Sequence, residues 1–236
     1  MKSFCRQALC LWVLAIMVFV EKLPAQTVNE NKTGFSARGA TSAGYLIADV
    51  QSGEPERVRS ALAALKNADD GTAQQVIEAA IRSSKLRSQQ KRDFLKEATR
   101  RGKQLAQDIY LAVLRGNDDS LKGEVLKSTP SFGRDFAMPV FQVSIKDKKS
   151  RIRLDTLKAV SSMDNQSKRE TYAIAAKDSD VTVRSQVAGD AGRLPQAEAW
   201  EILQGLCRDS NTTVRTRARG TARALGIDLK ANGITD

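Results

Sequence analysis

Residues 177–194 read KDSDVTVRSQVAGDAGRL, residues 195–207 read PQAEAWEILQGLC, and residues 208–226 read RDSNTTVRTRARGTARALG. The first and third pieces follow one template. Asp178 stands five residues before Val183-Arg184, and Asp209 stands five residues before Val214-Arg215, an offset of 31. One more step of 31 toward the N-terminus reaches Asp147, with Ile152-Arg153 at the same spacing. A fixed period of this size marks supersecondary units that cannot bury their apolar faces alone and must stack to do so.

An Asp, then a β-branched residue and an Arg five and six positions on, resembles the HEAT-repeat family, and more narrowly the short HEAT-like repeats of the phycobilisome-lyase type. Pro139, eight residues before Asp147, sits where that family often carries a helix-bending proline. The match is strong over 132–226 and weaker over 41–131. The resemblance implies an all-α, HEAT-like α-solenoid of about six helical hairpins. It implies Asp147, Asp178 and Asp209 at the turn inside each hairpin, and Arg153, Arg184 and Arg215 on the second helices. The family pattern makes these a structural ladder, each Arg held by the Asp of its own repeat, because an unpaired charge near a core is costly.

The hairpins follow from the period and from cap signals. The first pairs 41–51 with 54–67, where Pro55 suits an early helical position. The second pairs 71–84 with about 87–102, opened by a capping box of Thr72 and Gln75. Lys91-Arg92 is its match to the signature. The third pairs 104–116 with 117–127. Lys122 replaces the Arg there and Gly116 the Asp, so the ladder is expected to be degraded. The fourth, 132–147 plus 149–163, and the fifth, 165–178 plus 180–193 with a box of Ser167 and Glu170, precede a sixth from Pro195 to Gly226. Residues 227–236 are expected to form a tail. Tyr110, Phe141, Tyr172 and Leu203 fall in one column of the repeat. Val183, Val187, Ala191 and Leu194 form one stripe of a helix.

The N-terminus follows a different logic. Lys2 and Arg6 precede an apolar run from Ala8 to Val20, followed by Leu23-Pro24-Ala25. A charged start, a short apolar run and a small residue describe a secretory signal over 1–25. The run is well short of the roughly 20 residues of a membrane span. An uncleaved signal anchor is the rival expectation. Residues 26–40 are polar and patternless, as in a flexible leader. An exported chain in the cell envelope or periplasm, or secreted, is the expectation. After cleavage it keeps a net charge of +9 and only Cys207, so no internal disulfide. Cys207 falls in an apolar column and is expected to be a buried small hydrophobe.

Chemistry has few carriers here. The chain has no His, the commonest general base and metal ligand. No phosphate-cradling glycine loop or serine-nucleophile motif is visible. No enzyme, cofactor or metal is expected, and export disfavours the bilin chemistry that the lyase resemblance could imply. Charge is more informative. The second helices sum to +13 and the first helices to −2. In HEAT-like solenoids the second helices line the concave face. The expected function is an interaction scaffold that binds a protein partner, acidic by complementarity, on this face. Lys127, Arg151, Lys158 and Arg217 lie off both the apolar stripe and the ladder and are the candidate contacts. The alternative is a polyanion-binding module for an anionic glycan or nucleic acid, the latter disfavoured by export and by the scarcity of groove aromatics.

The signal expectation predicts processing between Ala25 and Gln26. N-terminal sequencing of the exported protein checks it, and a product that retains Met1 through Ala25 contradicts it.

Overall fold

The computed structural model describes residues 42–235. The expected signal and leader lie outside the described residues. The compact unit that holds the described residues, Ala40–Asp236, is all-helical, with no strand among them. Its α-helices are α1 (Ala43–Ser52), α2 (Pro55–Leu65), α3 (Asp70–Arg82), α4 (Ser88–Arg101), α5 (Lys103–Arg115) and α6 (Asp119–Ser128). They continue with α7 (Arg134–Ser144), α8 (Ser150–Val160), α9 (Asn165–Ala175), α10 (Val181–Asp190), α11 (Gln196–Leu206) and α12 (Thr212–Ala224). Short 3-10 turns, Thr129–Phe132 and Ala191–Arg193, follow α6 and α10. No helix among the described residues is long and apolar enough to cross a membrane.

Consecutive helices pair as α1·α2, α3·α4 and so on to α11·α12. Every odd helix also packs on the next odd helix, and every even helix on the next even one. The six expected hairpins are thus present with their boundaries close to those read from the period. The columns of the repeat are buried as columns. Tyr110, Phe141, Tyr172 and Leu203 are all in the core, as are Val183, Val187, Ala191 and Leu194. Small residues at Ala218 and Ala222 of α12, both fully buried, let helix backbones approach where larger side chains would hold them apart.

Two helix starts differ from the sequence expectation. The N-cap of α3 is Asp69, whose carboxylate accepts from the N–H of Thr72. The N-cap of α9 is Asp164, which accepts from the N–H of Ser167. In both, the cap lies three residues upstream of the expected one, and a carboxylate rather than a hydroxyl accepts a free N–H of the first turn. The expected tail is also part of the fold. Gly226 takes a left-handed φ of 75°, and the N–H of Ile227 returns to the carbonyl of Ala222, a Schellman closure. Ile227, Leu229 and Ile234 are then buried, and Arg208 donates to the carbonyls of Asn232 and Gly233.

The ladder exists, but its rungs join neighbouring repeats. Arg184 Nε and Nη2 reach Asp209 Oδ2 and Oδ1 at 2.7 and 3.0 Å. Arg153 grips Asp178 in the same two-pronged way at 2.6 and 2.8 Å. From its own repeat each Arg takes only backbone carbonyls, Asp147 O for Arg153 and Asp178 O and Ser179 O for Arg184. The expected pairing within a repeat is therefore corrected by one unit. The reason is the turn. The N–H groups of Lys149, Asp180 and Asn211 donate to the Oδ1 atoms of Asp147, Asp178 and Asp209. Each carboxylate is held by its own turn within reach of the preceding repeat's cation.

Nor does the ladder lapse at the third hairpin. Lys122 pairs with Asp147, and Lys91 with Asp118 at 3.1 Å. Lys91, not Arg92, is the signature cation of the second hairpin. A lysine supplies the charge with one contact where an arginine supplies two. The expected vacancy at Gly116 is filled from Asp118, two residues on, which also caps α6 by accepting from the N–H of Leu121.

These rungs are largely out of water, with side-chain exposures of 13% for Arg184 and 9% for Asp209. Arg184's hydrogen bonds hold the Asp209 carboxyl below the ordinary carboxylate range against the opposing effect of burial. Burial pushes the Asp147 carboxyl up, but the bonds from Lys122 and from the Lys149 N–H outweigh it and the net shift is downward. Arg184→Ala strands a mostly buried carboxylate and is expected to cost about 1–3 kcal/mol. Arg217→Ala removes an exposed side chain and is expected to cost less than roughly 0.5 kcal/mol. Urea unfolding of the two variants checks this. An Arg184→Ala midpoint equal to the parent's contradicts a stabilising rung.

Candidate functional site

The candidate contacts are all exposed and all on even helices: Lys127 on α6, Arg151 and Lys158 on α8, and Arg217 on α12. The 31-residue period places them on one stripe. Residues four and seven positions beyond a given residue share its helix face. Arg151, Asp155 and Lys158 form such a set on α8. The corresponding residues are Gln89, Asp93 and Lys96 on α4, and Ser120, Glu124 and Lys127 on α6. They continue as Thr182, Gln186 and Gly189 on α10, and Thr213, Arg217 and Gly220 on α12.

The stripe is ordered more finely than a uniformly basic face. One row runs Lys96, Lys127, Lys158, and then the side chains disappear at Gly189 and Gly220. The adjacent row runs Asp93, Glu124, Asp155, Gln186, Arg217, from acid through neutral to base. Acid and lysine stand three residues apart on each of α4, α6 and α8, a spacing at which helical side chains meet. Lys96 and Asp93 do so at 3.4 Å. Lys127, Lys158, Arg151 and Arg217 make no ion pair among the described residues. The Arg217 side chain instead reaches back to α10, where its guanidinium lies over Gly189.

The charge contrast between helix sets overstates this surface. Part of the second hairpin's excess is internal to the fold or bound in ion pairs. Arg101 has an 8%-exposed side chain and binds Glu97, Asp70 and the carbonyls of Leu65 and Ala68. It ties the end of α4 to the end of α2, a role with no repeat counterpart to betray it. Arg100 pairs with Glu97, and Arg92 with Glu124. Lys149 pairs with Asp119 at the start of α6. The ladder carboxylates Asp147, Asp178 and Asp209 fall at the ends of first-helix segments, which lowers that set's sum while they neutralise second-helix cations.

Two grooves among the described residues bear on this surface. A groove of ≈ 830 Å³ between α9 and α11 is lined by Arg169, Lys177, Glu201 and Arg208 among others. One of ≈ 530 Å³ between α2 and α4 is lined by Pro55, Arg59, Leu62, Lys85 and Arg87 among others. None of the four candidate contacts lines either. The second groove adds basic residues to the even-helix side that the period did not single out, because Lys85 and Arg87 stand in the turn before α4. Cys207 is fully buried. Burial pushes its thiol pKa up, against the pull of Arg219, Arg208 and Arg223, which disfavours the nucleophilic thiolate. Groups of three or more metal-ligating side chains are absent among the described residues.

No protein-family model matches the chain, and no curated protein matches it. The HEAT resemblance rests on the 31-residue spacing of Asp and Arg.

Proposed function

We propose that the helices form a HEAT-like α-solenoid and that the chain is an exported, non-enzymatic interaction scaffold. Its even-helix stripe receives an acidic protein partner. The observation that carries this is the row of exposed cations in register: Lys96, Lys127 and Lys158 repeat at one position of successive even helices, with Arg151 beside them and Arg217 at the end of the adjacent row. Packed helices lie roughly 8–10 Å apart, so the lysines offer contacts at that pitch. A partner that meets them presents acidic side chains over several repeats. The parallel acidic row gives such a partner a register, because a shift across the stripe sets like charges against each other. Cations on a solvated rim tune encounter and selectivity more than they supply affinity, and apolar contacts such as Leu62 in the groove beside α2 add to it.

Reversal of Arg151, Lys158 and Arg217 to Glu tests this. Helical content and melting temperature are expected to stay near those of the parent, since none of the three pairs with a carboxylate among the described residues. Capture of partners from envelope extracts is expected to fall at low salt, mainly through slower association. A triple variant that captures the same partners with unchanged affinity and salt dependence contradicts the proposal. Capture that disappears at moderate salt for the parent points to a polyanion instead.

A further inference from the structure

We infer that the outer face of α12 is a carboxylate-accepting docking site, built by Arg215 and Gly220, for an Asp presented at a helix N-terminus of a partner protein. The inference rests on a translation by one repeat. Arg184 on α10 and Arg215 on α12 are equivalent positions, as are Gly189 and Gly220, each 31 residues apart. On α10 both positions are occupied by the next hairpin. Asp209 fills the Nε–Nη2 edge of Arg184. The Arg217 guanidinium fills the space over Gly189, so that a methyl group there would lie 2.6 Å from Arg217 Nε. On α12 neither position is met by another hairpin among the described residues. A methyl group on Gly220 would meet nothing within 4 Å, and no carboxylate pairs with Arg215 among the described residues.

The open rung is held ready. Arg215 Nη1 donates to the carbonyls of Asp209 and Ser210, both at 2.7 Å, and Nη2 to Thr212 Oγ1 at 3.0 Å. Arg184 anchors its own Nη1 in the same manner, on Asp178 O and Ser179 O. The guanidinium is therefore fixed before any ligand arrives, and a carboxylate that binds it pays little further ordering cost. Among the described residues after Gly226, none supplies one. They bury Ile227, Leu229 and Ile234 and lead back to Arg208, while the Asp228 carboxylate accepts from the N–H groups of Lys230 and Ala231. Apolar surface at this end is covered, and the polar positions are not. α12 itself carries Arg215, Arg217, Arg219 and Arg223 and no acidic residue, so the face attracts an anion.

The occupied rungs define the occupant. Each is an Asp, and in Asp147, Asp178 and Asp209 the Oδ1 also accepts the N–H two residues on, just before a helix begins. A planar carboxylate suits the parallel Nε–H and Nη2–H donors. Gly220 leaves room for a long side chain or a close backbone from the same partner segment, as Gly189 does for Arg217. This site borders the stripe proposed above at Gly220, and it stands or falls by a different experiment.

The experiment uses the full chain and a blocked tripeptide of Asp209–Asn211, Asp-Ser-Asn, as the probe. Arginine Nε–H resonances are followed by ¹H–¹⁵N NMR, with Arg215→Lys to assign the signal. A saturable shift of the Arg215 resonance in the millimolar range is expected. Arg184, whose edge is filled, should not respond, and the Asn-Ser-Asn tripeptide should have no effect. An Arg215 signal that stays unmoved, or that moves no more than those of Arg59 and Arg151, overturns the inference.

Discussion

The structure depends on a carboxylate held in two directions at once. Each ladder Asp accepts an N–H from its own turn and a cation from the repeat before it. The first contact shapes the turn, and the second sets the distance between neighbouring hairpins. Neither group could be buried alone, since a stranded charge costs more than the pair returns. The ladder and the apolar columns are thus complementary constraints. The columns hold hairpins together without fixing register well, because Ala, Val and Leu tolerate sliding. The rungs fix register, because a guanidinium meets a carboxylate only in one arrangement.

Register then determines the surface. Once the even helices are aligned by their rungs, the residues two and five positions beyond each rung fall in common rows. The lysine row, the acid-to-base row and the two glycine gaps are consequences of this alignment. A binding surface that spans several repeats requires such alignment, since contacts on separate helices must keep a constant pitch. Interior cations and surface cations therefore have separate work, the first in spacing the hairpins and the second in facing solvent.

Much of this was legible in the sequence. The period located the hairpins, and the columns named core residues such as Phe141 and Tyr172. The identity of the ladder residues was legible too, but not which Asp each Arg meets. A period of 31 makes the short spacing within a repeat and the longer spacing to the next repeat equally regular. Only the turn geometry, which carries the carboxylate back toward the preceding repeat, separates them. Lys122 and Asp118 were hidden for a related reason: the ladder needs a charge at a point in space, and a lysine or a carboxylate two residues along can supply it. Arg101 left no periodic trace at all. The charge sum misled because it could not distinguish cations bound inside the fold from those that face solvent.

The ladder is tested most directly by a double-mutant cycle between Arg184 and Asp209, with Arg184 and Asp178 as the comparison, each residue changed to Ala and stability measured by urea unfolding. Pairing between repeats predicts a coupling of about 0.5–3 kcal/mol for Arg184 with Asp209, and a smaller one for Arg184 with Asp178, whose backbone carbonyl survives the substitution. A coupling near zero for Arg184 with Asp209, or a larger one for Arg184 with Asp178, would contradict the account.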